Sequence, residues 1–254
     1  MASWRGPRAH PFCSLPKLQA RKTSQIQPSP STISPSVETS RIAELLQPFL
    51  ATPGALSAAQ LNHISMYIDL LLRWNARINL TSIRQPEAIV TRHFGESLFA
   101  AQHLFPNPGQ ATSLIDVGSG AGFPGVAIKL WAPQLRLTLI ESNHKKVAFL
   151  RQLARTLTLT DIDILPDRAE AYAGPGPLAD VVTIRAVERF SSALPAAARL
   201  VAPGGRLALM IGQAQTAQAT ELLPGAVWGA PVRLPLSASR VLLIGRSREK
   251  ILER

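Results

Sequence analysis

Leu114-Ile115-Asp116-Val117-Gly118-Ser119-Gly120-Ala121-Gly122-Phe123-Pro124-Gly125 is an apolar strand that ends in an acid and runs into a turn dense in glycine. Gly118, Gly120 and Gly122 have no Cβ, so the backbone there folds tightly and lets a ligand lie against its amides. Asp116 adds a carboxylate at the carboxyl end of the strand, where open parallel sheets place their ligands. Four glycines in the eight residues 118–125 cost more conformational entropy than a plain connecting turn requires.

The same letters fit two cofactor classes. Gly120-x-Gly122-x-x-Gly125 matches the dinucleotide fingerprint of NAD(P)-dependent oxidoreductases, in which amides at a helix N-terminus receive a pyrophosphate. Asp116-x-Gly118-x-Gly120-x-Gly122 matches the acid-plus-glycine loop of enzymes that use S-adenosylmethionine. The second register explains more residues. S-adenosylmethionine has a cationic sulfonium and an ammonium and no phosphate, whereas an acid so near a pyrophosphate opposes its binding.

Outward from the loop, short apolar strands are expected at 113–117, 136–140, 161–165, 180–184 and 206–211, alternating with helices at 125–131, 144–156, 190–201 and 213–223. This βαβ rhythm predicts an α/β fold built on a mostly parallel sheet with helices on both faces. Segments 227–234 and 240–245 follow each other without a helix, so they predict a C-terminal antiparallel hairpin, an ending more typical of methyltransferases than of dehydrogenases. Before the sheet, Ile42, Leu45, Leu46 and Phe49 recur at helical spacing up to Pro48. A second helix is expected from Ser57 as N-cap, with Leu61, Ile64, Ile68, Leu71 and Leu72 on one face. Pro86 opens a third, with Ile89, His93, Ser97, Leu98 and Ala101 inward. The expected organisation is a leader over 1–40, an N-terminal helical cap over 41–110 and a cofactor-binding domain over 111–254.

The chain of 254 residues is 46% hydrophobic, enough for a real core. Its net charge is +11; residues 1–40 hold five basic residues and one acid, so about +7 stays on the remainder. A basic surface favours a polyanion, nucleic acid above all. The leader is rich in Ser and Pro without a helical or strand period, which predicts disorder, and its scattered Arg5, Arg8, Lys17, Arg21 and Lys22 also resemble an organelle transit peptide. A misplaced start codon or a simple bacterial tail explains the same composition, so a cytoplasmic location and an organelle stroma or matrix both stay open. The lone Cys13 forms no internal disulfide, which fits a reducing compartment. No apolar stretch reaches the length of a membrane helix, and no membrane partner is expected. The five histidines are widely separated and predict no metal site.

Glu141 closes the second expected strand, where a carboxylate accepts hydrogen bonds from the ribose hydroxyls of an adenosine cofactor of either class. Asp167-Arg168-Ala169-Glu170 follows the third strand and is placed to meet an adenine edge. Pro203-Gly204-Gly205 is turn chemistry.

Together, Asn79-Leu80-Thr81-Ser82-Ile83-Arg84, Arg92-His93 with Glu96-Ser97, the loop from Asp116 to Gly125, Lys145-Lys146-Val147-Ala148-Phe149-Leu150-Arg151 and Arg185-Ala186 strongly resemble the ribosomal RNA small subunit methyltransferase G family, also called glucose-inhibited division protein B. The similarity spans about residues 57–245. It implies a class I, Rossmann-like methyltransferase that uses S-adenosylmethionine to methylate N7 of a guanine in 16S rRNA. The expected partner is 16S rRNA, the small ribosomal subunit or an assembly intermediate, which the sequence does not choose between, and a monomer is expected. On the family pattern Gly118 and Phe123 are expected to contact the cofactor in the loop, Ala169 and Glu170 to hold its adenine side and Arg185 to line its site; the loop and strand-end readings above add Asp116, Gly120, Gly122 and Glu141 as cofactor-binding residues. Arg185 is also expected between cofactor and guanine, and Arg84, Arg92, Lys145, Lys146 and Arg151 are expected on the phosphate-binding surface. Two positions depart from the pattern: Glu96, where the family often has Asp, and Ile211, where it often has Lys. A non-catalytic RNA-binding protein is the third reading.

Overall fold

The computed structural model describes residues 36–52, 54–110, 112–172 and 178–247. Residues 1–35 of the expected leader lie outside them. Helix α1 (Thr39–Leu46) buries Ile42 and Leu46 and gives way at Pro48 to one 3-10 turn, Gln47–Phe49. Helix α2 (Ala58–Asn75) starts at Ser57, whose Oγ accepts from Gln60 N at 3.3 Å while Gln60 Oε1 accepts from Ser57 N at 2.8 Å. This reciprocal capping box satisfies two donors that a helix start otherwise leaves unpaired.

The third expected helix is interrupted. Helix α3 (Pro86–Ile89) passes through a π-helical turn, Val90–Gly95, into helix α4 (Glu96–Leu104). A π turn adds a residue to the repeat and rotates everything after it relative to a regular helix. Phe94, Gly95 and Glu96 therefore all enter the interior, beside the expected Ile89, Ser97, Leu98 and Ala101. Gly95 is bare because the Phe49 ring lies 2.6 Å from where its Cβ would stand.

Strands β1 (Ser113–Val117), β2 (Arg136–Ile140), β3 (Ile162–Leu165), β4 (Ala179–Arg185) and β5 (Val201–Gly212) are parallel. Strands β6 (Ala226–Trp228) and β7 (Val232–Arg233) both pair antiparallel with β8 (Arg240–Ser247), which itself runs antiparallel to β5. The sheet order is β3-β2-β1-β4-β5-β8-β6. Helices α5 (Gly125–Trp131), α6 (His144–Thr156), α7 (Phe190–Ala198) and α8 (Gln215–Leu222) cover it. Side chains alternate along each strand. Leu114, Leu137, Val181 and Ala208 pack with the N-terminal helices, α5 and α6, while Ile115, Val182, Leu207 and Leu209 pack with α7 and α8.

Two strand boundaries differ from expectation. Strand β5 begins at Val201, shortening α7, and the Pro203-Gly204-Gly205 turn bulges within it, since Ala179 pairs with Val201 but Val181 already pairs with Arg206. The expected strand 227–234 is split at Gly229-Ala230-Pro231, where Pro231 has no N–H to give to β8. The strand order reverses between β1 and β4, which opens a crevice at their carboxyl ends.

Candidate active site

The loop from β1 to α5 is held from behind by Asp116. This carboxyl group is fully buried: Thr183 Oγ1 donates to Oδ1 at 2.7 Å and Gly125 N donates to Oδ2 at 3.1 Å. Burial pushes its pKa up to about 6, against the hydrogen bonds from Thr183 and Gly125 that favour the charged form. Asp116 thus faces inward, bonded to β4 and to the start of α5 behind the loop. A Cβ on Gly125 would come within 2.8 Å of the Asp116 carboxylate, so only glycine lets helix α5 start there. Gly122 sits at φ +90°, and a Cβ on it would strike the Tyr67 hydroxyl, which donates to Ala121 O. Phe123 is stacked between Tyr67 and His93, with ring centroids 5.0 and 4.8 Å away. Gly120, Gly122 and Phe123 stand in the same loop as Gly118 of the crevice, and Gly120 N is bonded to the crevice residue Glu141.

The crevice is a cleft of about 320 Å³ that brings together the expected Gly118, Glu141, Lys146, Ala169 and Glu170. Glu141 Oε2 accepts from Gly120 N at 2.9 Å and Oε1 from Asn143 N at 2.7 Å. A carboxylate has about four lone-pair sites, so these two bonds fix its orientation and leave capacity for hydroxyl donors. Ala169 and Glu170 stand on a short 3-10 turn, Ala169–Tyr172. The lining also includes Asp167 of the expected segment 167–170, together with Asn143 and Val187, which the motifs alone did not single out. Asn143 was readable as the α6 N-cap: its Oδ1 accepts from Lys145 N at 2.9 Å and Lys146 N at 3.3 Å.

Arg185, at the end of β4, centres a second group of side chains. Its side chain is 12% exposed, and Nη2 donates to Arg92 O at 2.6 Å, Glu96 Oε2 at 3.2 Å and His93 Nδ1 at 3.2 Å. With Nδ1 accepting, the proton of neutral His93 belongs on Nε2, which lies 2.8 Å from Thr81 Oγ1. Burial, helped by the Arg185 and Arg92 cations, lowers the His93 pKa to about 3. Burial also lowers the Arg185 pKa, while Glu96 and Asp116 counteract it. Thr81 is positioned by Asn75, whose Oδ1 accepts from Leu80 N and Thr81 N and whose Nδ2 donates to Thr81 O. Tyr67 carried no motif signal, because it acts through the Ala121 carbonyl, distant in sequence, and Asn75, which braces a loop five and six residues on, was not singled out either.

Glu96 is 1% exposed and is also met by Arg92 Nε at 3.3 Å and Arg240 Nη2 at 2.5 Å. Of the residues expected at RNA, Arg92 belongs to this group and Lys146 to the cleft, whereas Arg84, Lys145 and Arg151 are exposed outside both.

Residues 60–223 match the family model "rRNA small subunit methyltransferase G". The chain is 35% identical over 220 residues to the ribosomal RNA small subunit methyltransferase G of Bacillus cytotoxicus, covering 81% of this chain and 91% of that protein. It belongs to this family. A methyltransferase G relative from Chromobacterium violaceum is 37% identical over 170 residues, covering 67% of this chain and 79% of its own.

Within the methyltransferase G family, this member buries Ile211 in the apolar layer under α7 and α8. Among solved structures, the YcgJ protein of Bacillus subtilis superposes with a TM-score of 0.51 at 12% identity, covering 62% of this chain and all (100%) of that one. The ribosomal protein L11 methylase of Lactobacillus delbrueckii does so with a TM-score of 0.51 at 15% identity, covering 63% and 79%. Both likenesses concern the fold alone. Among the described residues no His, Cys, Asp and Glu group could hold a metal ion, and no helix is long and apolar enough to cross a membrane.

Proposed function

We propose that the protein transfers the methyl group of S-adenosylmethionine to N7 of a guanine in 16S rRNA. One observation supports this cofactor over a dinucleotide: the first amide of α5, Gly125 N, is bonded to the Asp116 carboxylate. That is the helix N-terminus a pyrophosphate would need, and here it already faces a buried negative charge. The cleft fits an adenosine, with Glu141 open to ribose hydroxyls and Ala169 and Glu170 beside it for the base.

When bound, S-adenosylmethionine supplies an electrophilic methyl on a sulfonium. Gly118 gives the ligand room against the backbone, Glu141 takes the ribose, and Ala169 with Glu170 takes the adenine. Gly120, Gly122 and Phe123 hold the wall in shape, and Asp116 ties the loop to β4 and α5. Arg185 stands on the guanine side. Guanine N7 presents an in-plane lone pair and no proton, so no general base is needed and positioning does the work, a contribution of up to about 7 to 11 kcal/mol in model reactions. The neutral, hydrogen-bonded His93 suits such a site. Arg84, Arg92, Lys145, Lys146 and Arg151 take RNA phosphates. The helices before residue 110 act as a cap on the cofactor-binding domain over 111–254, and the enzyme works as a cytoplasmic monomer on 16S rRNA or on a small-subunit particle.

Calorimetry with S-adenosylmethionine and with NAD, followed by transfer of labelled methyl to 16S rRNA, tests the reading. Micromolar binding of the first, none of the second and one new 7-methylguanosine by mass spectrometry are expected. Preferential NAD binding would point to an oxidoreductase, and RNA binding without transfer to a non-catalytic protein. The R185A variant should lose methyl transfer; unchanged turnover would remove Arg185 from the site.

A further inference from the structure

Three guanidiniums converge on one buried carboxylate. Arg92 Nε and Arg240 Nη2 share Glu96 Oε1 at 3.3 and 2.5 Å, and Arg185 Nη2 meets Oε2 at 3.2 Å. They come from three distant segments: the π turn, the start of β8 and the end of β4. Two cations on one oxygen repel each other, and Glu96 cannot neutralise both. Beside Glu96, Asp116 is the carboxylate acting on Arg185 among the described residues, and His93 is neutral. Three positive charges thus face two negative ones. The excess is one unit, and it falls where the side chains open outward: Arg92 is 49% exposed and Arg240 24%, against 12% for Arg185. Among the described residues, Arg240 Nε is buried with no hydrogen-bond partner. That buried donor is out of reach of solvent, so it is the outward-opening, over-charged guanidiniums of Arg92 and Arg240 that form an arrangement an anion completes.

We infer that Arg240 and Arg92 form a phosphate site that receives one phosphodiester of the RNA substrate next to the target guanine. The inference rests on the RNA methyltransferase reading above. A phosphodiester carries the one negative charge that the cluster lacks. Its oxygens suit the forked donors of two guanidiniums. Glu96 is the scaffold: it holds Arg185 inward and turns Arg92 and Arg240 toward each other. Ile211, on the neighbouring strand β5, is buried on the opposite sheet face and supplies no charge here.

The experiment is steady-state methyl transfer to 16S rRNA by the wild type, R240Q and R240K, with RNA affinity measured from low to high salt and S-adenosylmethionine affinity by calorimetry. R240Q is expected to raise the KM for RNA roughly tenfold and to lower the slope of log affinity against log salt by about one. R240K, which keeps the charge without the fork, should recover most of the salt slope and only part of the KM. Cofactor affinity should be the same in all three. If R240Q keeps the wild-type KM and salt slope, the phosphate site is wrong. If R240Q and R240K lose cofactor affinity in step with RNA affinity, Arg240 is merely structural and the inference also fails. A wild type that binds the cofactor yet methylates no RNA overturns the function itself, a distinct outcome.

Discussion

Gly122 and Asp116 illustrate how little freedom single residues have around the loop. A G122A substitution places a Cβ at φ +90° and against the Tyr67 hydroxyl, so a loss of about 1 to 3 kcal/mol is expected in urea unfolding. His93 and Asp116 respond to pH in opposite senses. Folding keeps His93 neutral down to about pH 3, whereas the unfolded chain takes a proton near 6.5, so its contribution to stability is lost as the pH falls through that window. Asp116 binds its proton at about 6 when folded and near 3.8 when unfolded, so it adds stability as the pH falls from 6 toward 4. Relative to the wild type, H93Q should therefore resist acid better between pH 6 and 4, and D116N should resist it less. Urea titrations at pH 7 and pH 5 check both; identical pH profiles in all three proteins would refute the assignment. His93, Gly122 and Asp116 all belong to motifs visible in the chain. Their partners Tyr67 and Thr183 were not, because a single buried hydrogen bond leaves no period or spacing to read.

At the scale of elements, local signals worked wherever the backbone's own chemistry decides. Ser57 announced the start of α2, and S57A should cost about 1 kcal/mol in thermal or urea unfolding, since it removes one half of the capping box with Gln60 that the structure shows. The π turn Val90–Gly95 was invisible to a regular helical period. It exists because Gly95 must admit the Phe49 ring while Glu96 reaches Arg185, and both demands are tertiary. A G95A variant is accordingly expected to lose about 1 to 3 kcal/mol through overpacking, measured by the same unfolding experiment. The bulge at Pro203-Gly204-Gly205 was legible as a turn but not as part of a strand. Turn chemistry reports a local bend, and only the pairing of Val201 with Ala179 shows that the strand resumes on both sides.

For the whole molecule, the net charge of +11 should dominate the energetics of RNA binding. The R84Q/K145Q/R151Q triple variant removes three exposed charges outside the cleft and the arginine cluster. Its salt slope for 16S rRNA binding is expected to fall by about 2 to 3, with S-adenosylmethionine affinity intact, by filter binding and calorimetry. A triple variant with the wild-type slope would show that these side chains are no more than a solvated surface.

The amino-acid sequence by itself determined the β1 loop, the alternating strands and helices, the sheet ending and the family, because glycine spacing, strand period and capping residues are local consequences of backbone sterics and hydrogen bonding. Only the tertiary structure decided what those residues face. Asp116 turned inward because Thr183 and Gly125 offer it donors. Arg240 joined Arg92 and Arg185 because antiparallel pairing carries β8 back beside β5, setting a residue from the end of the chain against Glu96. Such placements depend on which charges burial forces together, and that is a property of the packed molecule.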